Sequence, residues 1–153
     1  MPCSLDNQAR ALRDALRRLF VAHGTLDQTR RPCGTPLTTP HAWALLELRA
    51  AGALTTTALA ERLKLDRTNV SRLCTRMEAS GEVERVAHPQ DGRARLVSLT
   101  AKGARLAASV DLASAEHFAA IVGQLQADTT GVVETLNTLT RAISAPMTPE
   151  NKQ

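Results

Sequence analysis

The sequence predicts a mainly α-helical chain interrupted once by a small β-hairpin, and three observations predict it. Apolar residues recur at spacings of three and four through most of the chain. Aromatic residues make up only 2% of the composition although 43% is hydrophobic, so the core must be built from Leu, Ala and Val. Such a core suits packed helices better than a β-sandwich, whose strands favour aromatic and β-branched side chains. One stretch, from Val83 to Leu99, abandons the helical period around Asp91-Gly92, a turn signal between short apolar runs.

Each element can be justified in order. Leu5, Ala9, Leu12, Leu16, Leu19 and Phe20 form one stripe of an amphipathic first helix reaching about Leu26. Pro32, Gly34, Pro36 and Pro40 then mark a connection. A second helix, from about Thr39 to Ala51, carries Trp43, Leu45, Leu46 and Leu48 and ends at Gly52. Thr55, Thr56 or Thr57 can cap a third helix, with Ala58, Leu59, Ala60 and Leu63 as its apolar positions. Asp66 can cap a fourth, with Val70, Leu73, Cys74 and Met77 facing inward and Gly81 closing it. Only Lys64 and Leu65 separate these two short helices, which is a helix-turn-helix pattern. The hairpin follows, with Val83 and Val86 on one side and Leu96, Val97 and Leu99 on the other. Two long helices complete the chain, one from Thr100 to about Leu125 and one from Asp128 through Ile143.

A chain of 153 residues is long enough for one domain with a buried core and short for two. Its first and last helices carry more apolar surface than one such chain can cover, so a homodimer that packs them together is expected. Residues 1–38 and 104–145 are read as the helical dimerisation region, residues 39–103 as the winged helix-turn-helix unit, and residues 146–153 as a polar tail.

The charge balance narrows the function. Nineteen Lys and Arg against fifteen Asp and Glu give a formal charge of +4, which matters where it clusters. On the fourth helix the outward positions are Arg67, Thr68, Asn69, Ser71, Arg72, Thr75 and Arg76, with no carboxylate before Glu78. Arg pairs bidentately with guanine and Asn with adenine in the major groove, while hydroxyls suit phosphates or base edges. The bland alternative is a solvated helix surface, since Arg is a good helix former. The hairpin tip adds Arg93 and Arg95 directly after that helix, and an Arg-tipped hairpin can enter the minor groove. Double-stranded DNA is therefore the expected partner.

Leu59-Ala60-Glu61-Arg62-Leu63, Val70-Ser71-Arg72, Gly81, Val83 and Arg85, then Asp91-Gly92-Arg93 and Leu99-Thr100-Ala101-Lys102-Gly103, resemble the MarR family of bacterial transcriptional regulators. The family wing reads D-x-R, a strand and L-T-x-x-G, and all three occur here in order. The specific resemblance covers about residues 55 to 103. It implies a triangular homodimer, a recognition helix starting at Asp66, a wing arginine at Arg93, and Asp91 bracing the wing through a salt bridge. It also implies dimerisation by the first and the two last helices. Where the family has a large apolar residue after Gly81, this chain has Glu82, which should leave the start of the strand more exposed.

Other chemistries find little support. There is no G-x-S-x-G, H-E-x-x-H, P-loop or G-x-G-x-x-G, so no enzyme, metal site or cofactor is expected. His23, His41, His88 and His117 are scattered and read as ordinary helix or surface residues. Cys74 reads as a small core residue. Cys3 and Cys33 are candidate redox residues, Cys33 because Arg30 and Arg31 precede it and favour thiolate. The tyrosines that accompany the sensing cysteine in oxidant-sensing relatives are missing. A small-molecule effector is the other option, with His23, His41, Trp43 and Arg49 as candidate pocket residues; Trp43 reads equally as a core anchor. Without a secretion signal or an uninterrupted run of roughly 18 apolar residues, a cytoplasmic location with reduced thiols and no membrane contact is expected.

The overall expectation is a sequence-specific regulator, a repressor on an inverted-repeat operator released by a small molecule or oxidant. An architectural DNA-binding protein without effector is the alternative, as is a cysteine-based redox-sensing regulator. A protein–protein adaptor would need an acidic or apolar recognition face, which Arg67, Arg72, Arg76 and Arg93 oppose.

Overall fold

The helix-turn-helix forms because its caps are written into the chain. In the computed structural model, which describes residues 5–24 and 35–146, helix α3 (Thr56–Leu63) starts where Thr55 Oγ1 accepts the amide of Ala58 at 3.1 Å. Of the three threonines that could cap it, Thr55 does. Helix α3 ends at Lys64, which adopts the left-handed conformation at φ 54°. Helix α4 (Arg67–Ala79) starts at Asp66, whose carboxylate accepts the amides of Thr68 at 2.8 Å and Asn69 at 3.2 Å. That carboxylate satisfies two of the orphan donors of the first turn.

Two helices precede this pair. Helix α1 (Leu5–His23) has no buried residue. Helix α2 (Thr39–Ala51) carries Pro40 in its first turn, where a missing N–H costs nothing, and stops at Gly52, whose φ of 82° suits glycine. A two-residue strand β1 (Ala53–Leu54) follows, and the sequence reading had no strand here. Strands β2 (Val83–Ala87) and β3 (Arg95–Leu99) make the expected hairpin, with Val83 opposite Leu99 and Ala87 opposite Arg95. Strand β1 adds antiparallel to the other edge of β3, pairing Leu54 with Val97, so the sheet order is β1-β3-β2.

The core lies among α2, α3, α4, the sheet and the start of α5 (Ala101–Gln124). Leu45, Leu48, Leu59, Val70, Met77, Cys74 and Val97 are its largest fully buried members, so the aliphatic core expected from composition is present. Trp43 is 46% exposed and does not anchor it. Gly103, Ala107 and Val110 are the buried positions of α5, at spacings of four and three.

The described residues up to Ala115 form one compact unit and those from Glu116 onward a second, so the division falls inside α5. Within the second unit lies α6 (Thr129–Ser144), capped by Asp128 through the amides of Thr130 and Gly131. Helix α6 has no buried residue, and its Val133, Leu136 and Ile143 are exposed. Leu12, Leu19 and Phe20 of α1 and Leu112, Phe118, Ile121 and Val122 of α5 are exposed as well. By length and composition α5 is apolar enough to cross a bilayer, with a mean hydropathy of 1.2 over an 18-residue window. Counting uninterrupted apolar residues had missed this window.

Candidate nucleic-acid interface

Burying one side of α4 fixes what the other side presents. With Val70, Leu73, Cys74 and Met77 buried, a helix turning 100° per residue places Thr68, Arg72 and Thr75 opposite them, flanked by Asn69 and Arg76. All of these, with Arg67 and Ser71, are exposed. Thr75 turns its hydroxyl back onto the carbonyl of Ser71 at 3.0 Å, which leaves Arg72 and Arg76 as the longest groups of the face.

The carboxylates around this face are engaged elsewhere. Asp66 accepts the first amides of the helix, and Glu78 is held by Arg85 of β2 at 3.0 Å. Other arginines are also spent on partners, Arg62 on Glu47 at 3.1 Å and Arg49 on Asp111 at 3.0 Å. Arg67, Arg72, Arg76, Arg93 and Arg95 make no ion pair among the described residues. The uncommitted guanidinium groups of the winged unit therefore collect on the exposed face of α4 and on the β2–β3 hairpin, as a phosphate- and base-binding surface requires.

The hairpin tip is shaped by its own side chains. Asp91 Oδ1 accepts the backbone amide of Arg93 at 3.0 Å, and the amide of Ala94 donates to the Asp91 carbonyl at 3.0 Å. The expected brace by Asp91 is thus a turn hydrogen bond, and no salt bridge of Asp91 exists among the described residues. His88 joins the same turn by accepting the amide of Gln90 on Nδ1 at 3.1 Å.

Glu82 corrects a second expectation. It is 7% exposed, with its carboxylate 2.5 Å from His41 Nε2, and does not open the start of β2 to solvent. No local pattern signals this, because the partner lies 41 residues away.

The candidate effector residues on α2 do not share one face. His41 is committed to Glu82 and Arg49 to Asp111. Trp43 lies about 200° around α2 from His41, so the two face opposite sides. His23 sits at the last position of α1. A concave surface that sequence reasoning missed runs along α1 itself, lined by Arg13, Asp14, Arg17, Arg18, Val21 and Ala22. Cys3 and Cys33 lie outside the described residues. Cys74 is buried, and that burial pushes its thiol pKa up, with Arg85 pulling partly the other way.

The chain is similar to known transcriptional regulators. Residues 35–94 match the MarR family. Over 84 residues, 55% of this chain, the sequence is 30% identical to the HTH-type transcriptional regulator PrsX of Escherichia coli. The chain spans about half the length of that relative, 51%. A mutant MarR of E. coli crystallised with operator DNA is 25% identical, with a TM-score of 0.63 over 94% of this chain and 100% of that one. The PcaV regulator of Streptomyces coelicolor, crystallised with its natural ligand, is 24% identical, with a TM-score of 0.61 over 93% and 94%.

Proposed function

From the match of residues 35–94 to the MarR family and the likeness to a MarR crystallised with operator DNA, we propose that the chain is a regulator of that family that binds an inverted-repeat operator as a homodimer and represses transcription. The observation that carries this reading is the segregation of uncommitted arginines onto α4 and the wing. In this reading α4 enters the major groove, where Arg72, Arg76 and Asn69 meet base edges and Arg67, Thr68 and Ser71 meet phosphates or bases. Arg93 and Arg95 follow the backbone or enter the adjoining minor groove. No chemistry is performed, and the protein works in the cytoplasm.

Dimerisation is supported by apolar surface that one chain leaves uncovered on α1, α5 and α6. Only 11% of the most apolar window of α5 is buried within the chain, and a second copy covers such a surface as lipid would. Two recognition helices on a two-fold axis add their contributions, whereas one bidentate contact discriminates by only about 1–3 kcal/mol.

Release by a small-molecule effector fits the likeness to PcaV, which was crystallised with its ligand. The effector favours a dimer whose recognition helices no longer match successive major grooves. Cys33 offers an oxidant-driven route to the same shift. DNase footprinting upstream of the protein's own gene tests the proposal. Two protected half-sites one helical turn apart support it, and uniform protection at all sequences favours the architectural reading.

A further inference from the structure

Glu82 sits at the corner where the recognition helix turns into the wing, and its main chain is gripped from two sides. Its amide donates to Met77 O at 2.9 Å, in the last turn of α4. Its carbonyl accepts the amide of Thr100 at 3.0 Å and the Thr100 hydroxyl at 3.1 Å, while the same hydroxyl reaches Gly81 O at 2.6 Å. Lys102 Nζ donates to Ser80 O, so the first turn of α5 holds residues 80–82 together.

The side chain of Glu82 makes a different connection. Its carboxylate is 9% exposed and reaches His41, in the first turn of α2, whose side chain is 21% exposed. An unpaired carboxylate at that depth is costly, so the site requires a donor. Nε2 of His41 supplies one whether the ring is neutral with its proton on Nε2 or fully protonated. The corner is thereby tied to α2, the helix that receives the chain arriving from α1.

Resting on the DNA-binding reading above, we propose that His41 is a positioning residue for DNA binding, acting through Glu82 to fix the wing relative to the recognition helix. Neither side chain touches DNA in this role. A shift of the first turn of α2 is passed to the α4–β2 corner by a single hydrogen bond, which makes the wing responsive to the α1–α2 side of the protein.

The test uses variants that separate the tie from bulk. His41→Gln sets an amide nitrogen near the place of Nε2 and keeps the tie; His41→Asn is one bond too short and breaks it. Glu82→Leu breaks it as well, without stranding a carboxylate, and serves if the Asn variant fails to fold. Hydrogen exchange is measured first on the DNA-free full-length protein. Faster exchange at the Glu82 and Thr100 amides in the breaking variants, reversed by Gln, is expected; unchanged exchange overturns the proposal. Anisotropy binding to the operator follows at a temperature where every variant is folded. The breaking variants should lose about 2- to 30-fold in affinity, and the loss should vanish when Arg93→Ala has already removed the wing contact. Faster exchange with unchanged affinity reduces the pair to a stabilising contact and overturns the role. Wild-type protein that fails to prefer any duplex rejects the DNA-binding reading itself, and this role falls with it.

Discussion

Gly103 and Glu82 are packed so closely that a Cβ on Gly103 would stand 1.9 Å from the Glu82 carbonyl oxygen. The glycine of the L-T-x-x-G motif is therefore a contact residue, letting α5 lie directly on the backbone where α4 turns into β2. The obstacle is a carbonyl already holding Thr100, so it has little room to yield.

Gly103→Ala should destabilise the winged unit by at least about 1–3 kcal/mol, the usual cost of overpacking. Chemical denaturation of the variant beside wild type measures it. A midpoint within error of wild type would show that α5 can lift away from the corner.

Arg72→Ala and Arg93→Ala should fail in different ways. Losing Arg72 should cost about 1–3 kcal/mol of discrimination between operator and mismatched duplex. Losing Arg93 should weaken binding to all duplexes and lower the salt slope by about 2, one phosphate contact from each subunit. Affinities of both variants across a salt series separate the roles, and equal losses on every sequence would leave Arg72 without one.

Cys74 should be inert in the native protein. Its buried thiol is held neutral, so iodoacetamide followed by mass mapping should modify it only after denaturation. The sign of its pH effect follows. With the folded pKa raised, the contribution to stability is constant below the ordinary thiol value and is lost as pH rises past it, because the unfolded chain ionises first. Denaturation midpoints measured across the alkaline range should fall for wild type more steeply than for Cys74→Ala.

A chain beginning at residue 28 should not dimerise. It lacks α1, whose Leu12, Leu19 and Phe20 are exposed in the single chain. Sedimentation equilibrium should return a monomer mass, and a dimer mass would place the interface on α5 and α6 alone.

Local physics made much of this legible in advance. Asp66, Thr55 and Asp128 cap their helices because a side-chain oxygen two or three residues ahead of free amides is a short-range device. The outward arginines of α4 were visible because the inward stripe was unambiguous. What escaped depended on distant partners or on short segments. Strand β1 has two residues and no period to read. Glu82 looked exposed because the imidazole it needs belongs to another helix. Asp91 accepts the backbone amide of Arg93, so the expected salt bridge is replaced by a turn hydrogen bond. His41 and Trp43 were grouped by chemistry, and two residues along a helix place them on opposite sides.

The most direct measurement of the central claim is fluorescence anisotropy of the full-length protein on the duplex upstream of its own gene, against a scrambled duplex, at two salt concentrations. The account predicts tighter binding to the native duplex at both salts, with affinity falling as salt rises. Equal affinity for the two duplexes, or none for either, would contradict a sequence-specific regulator.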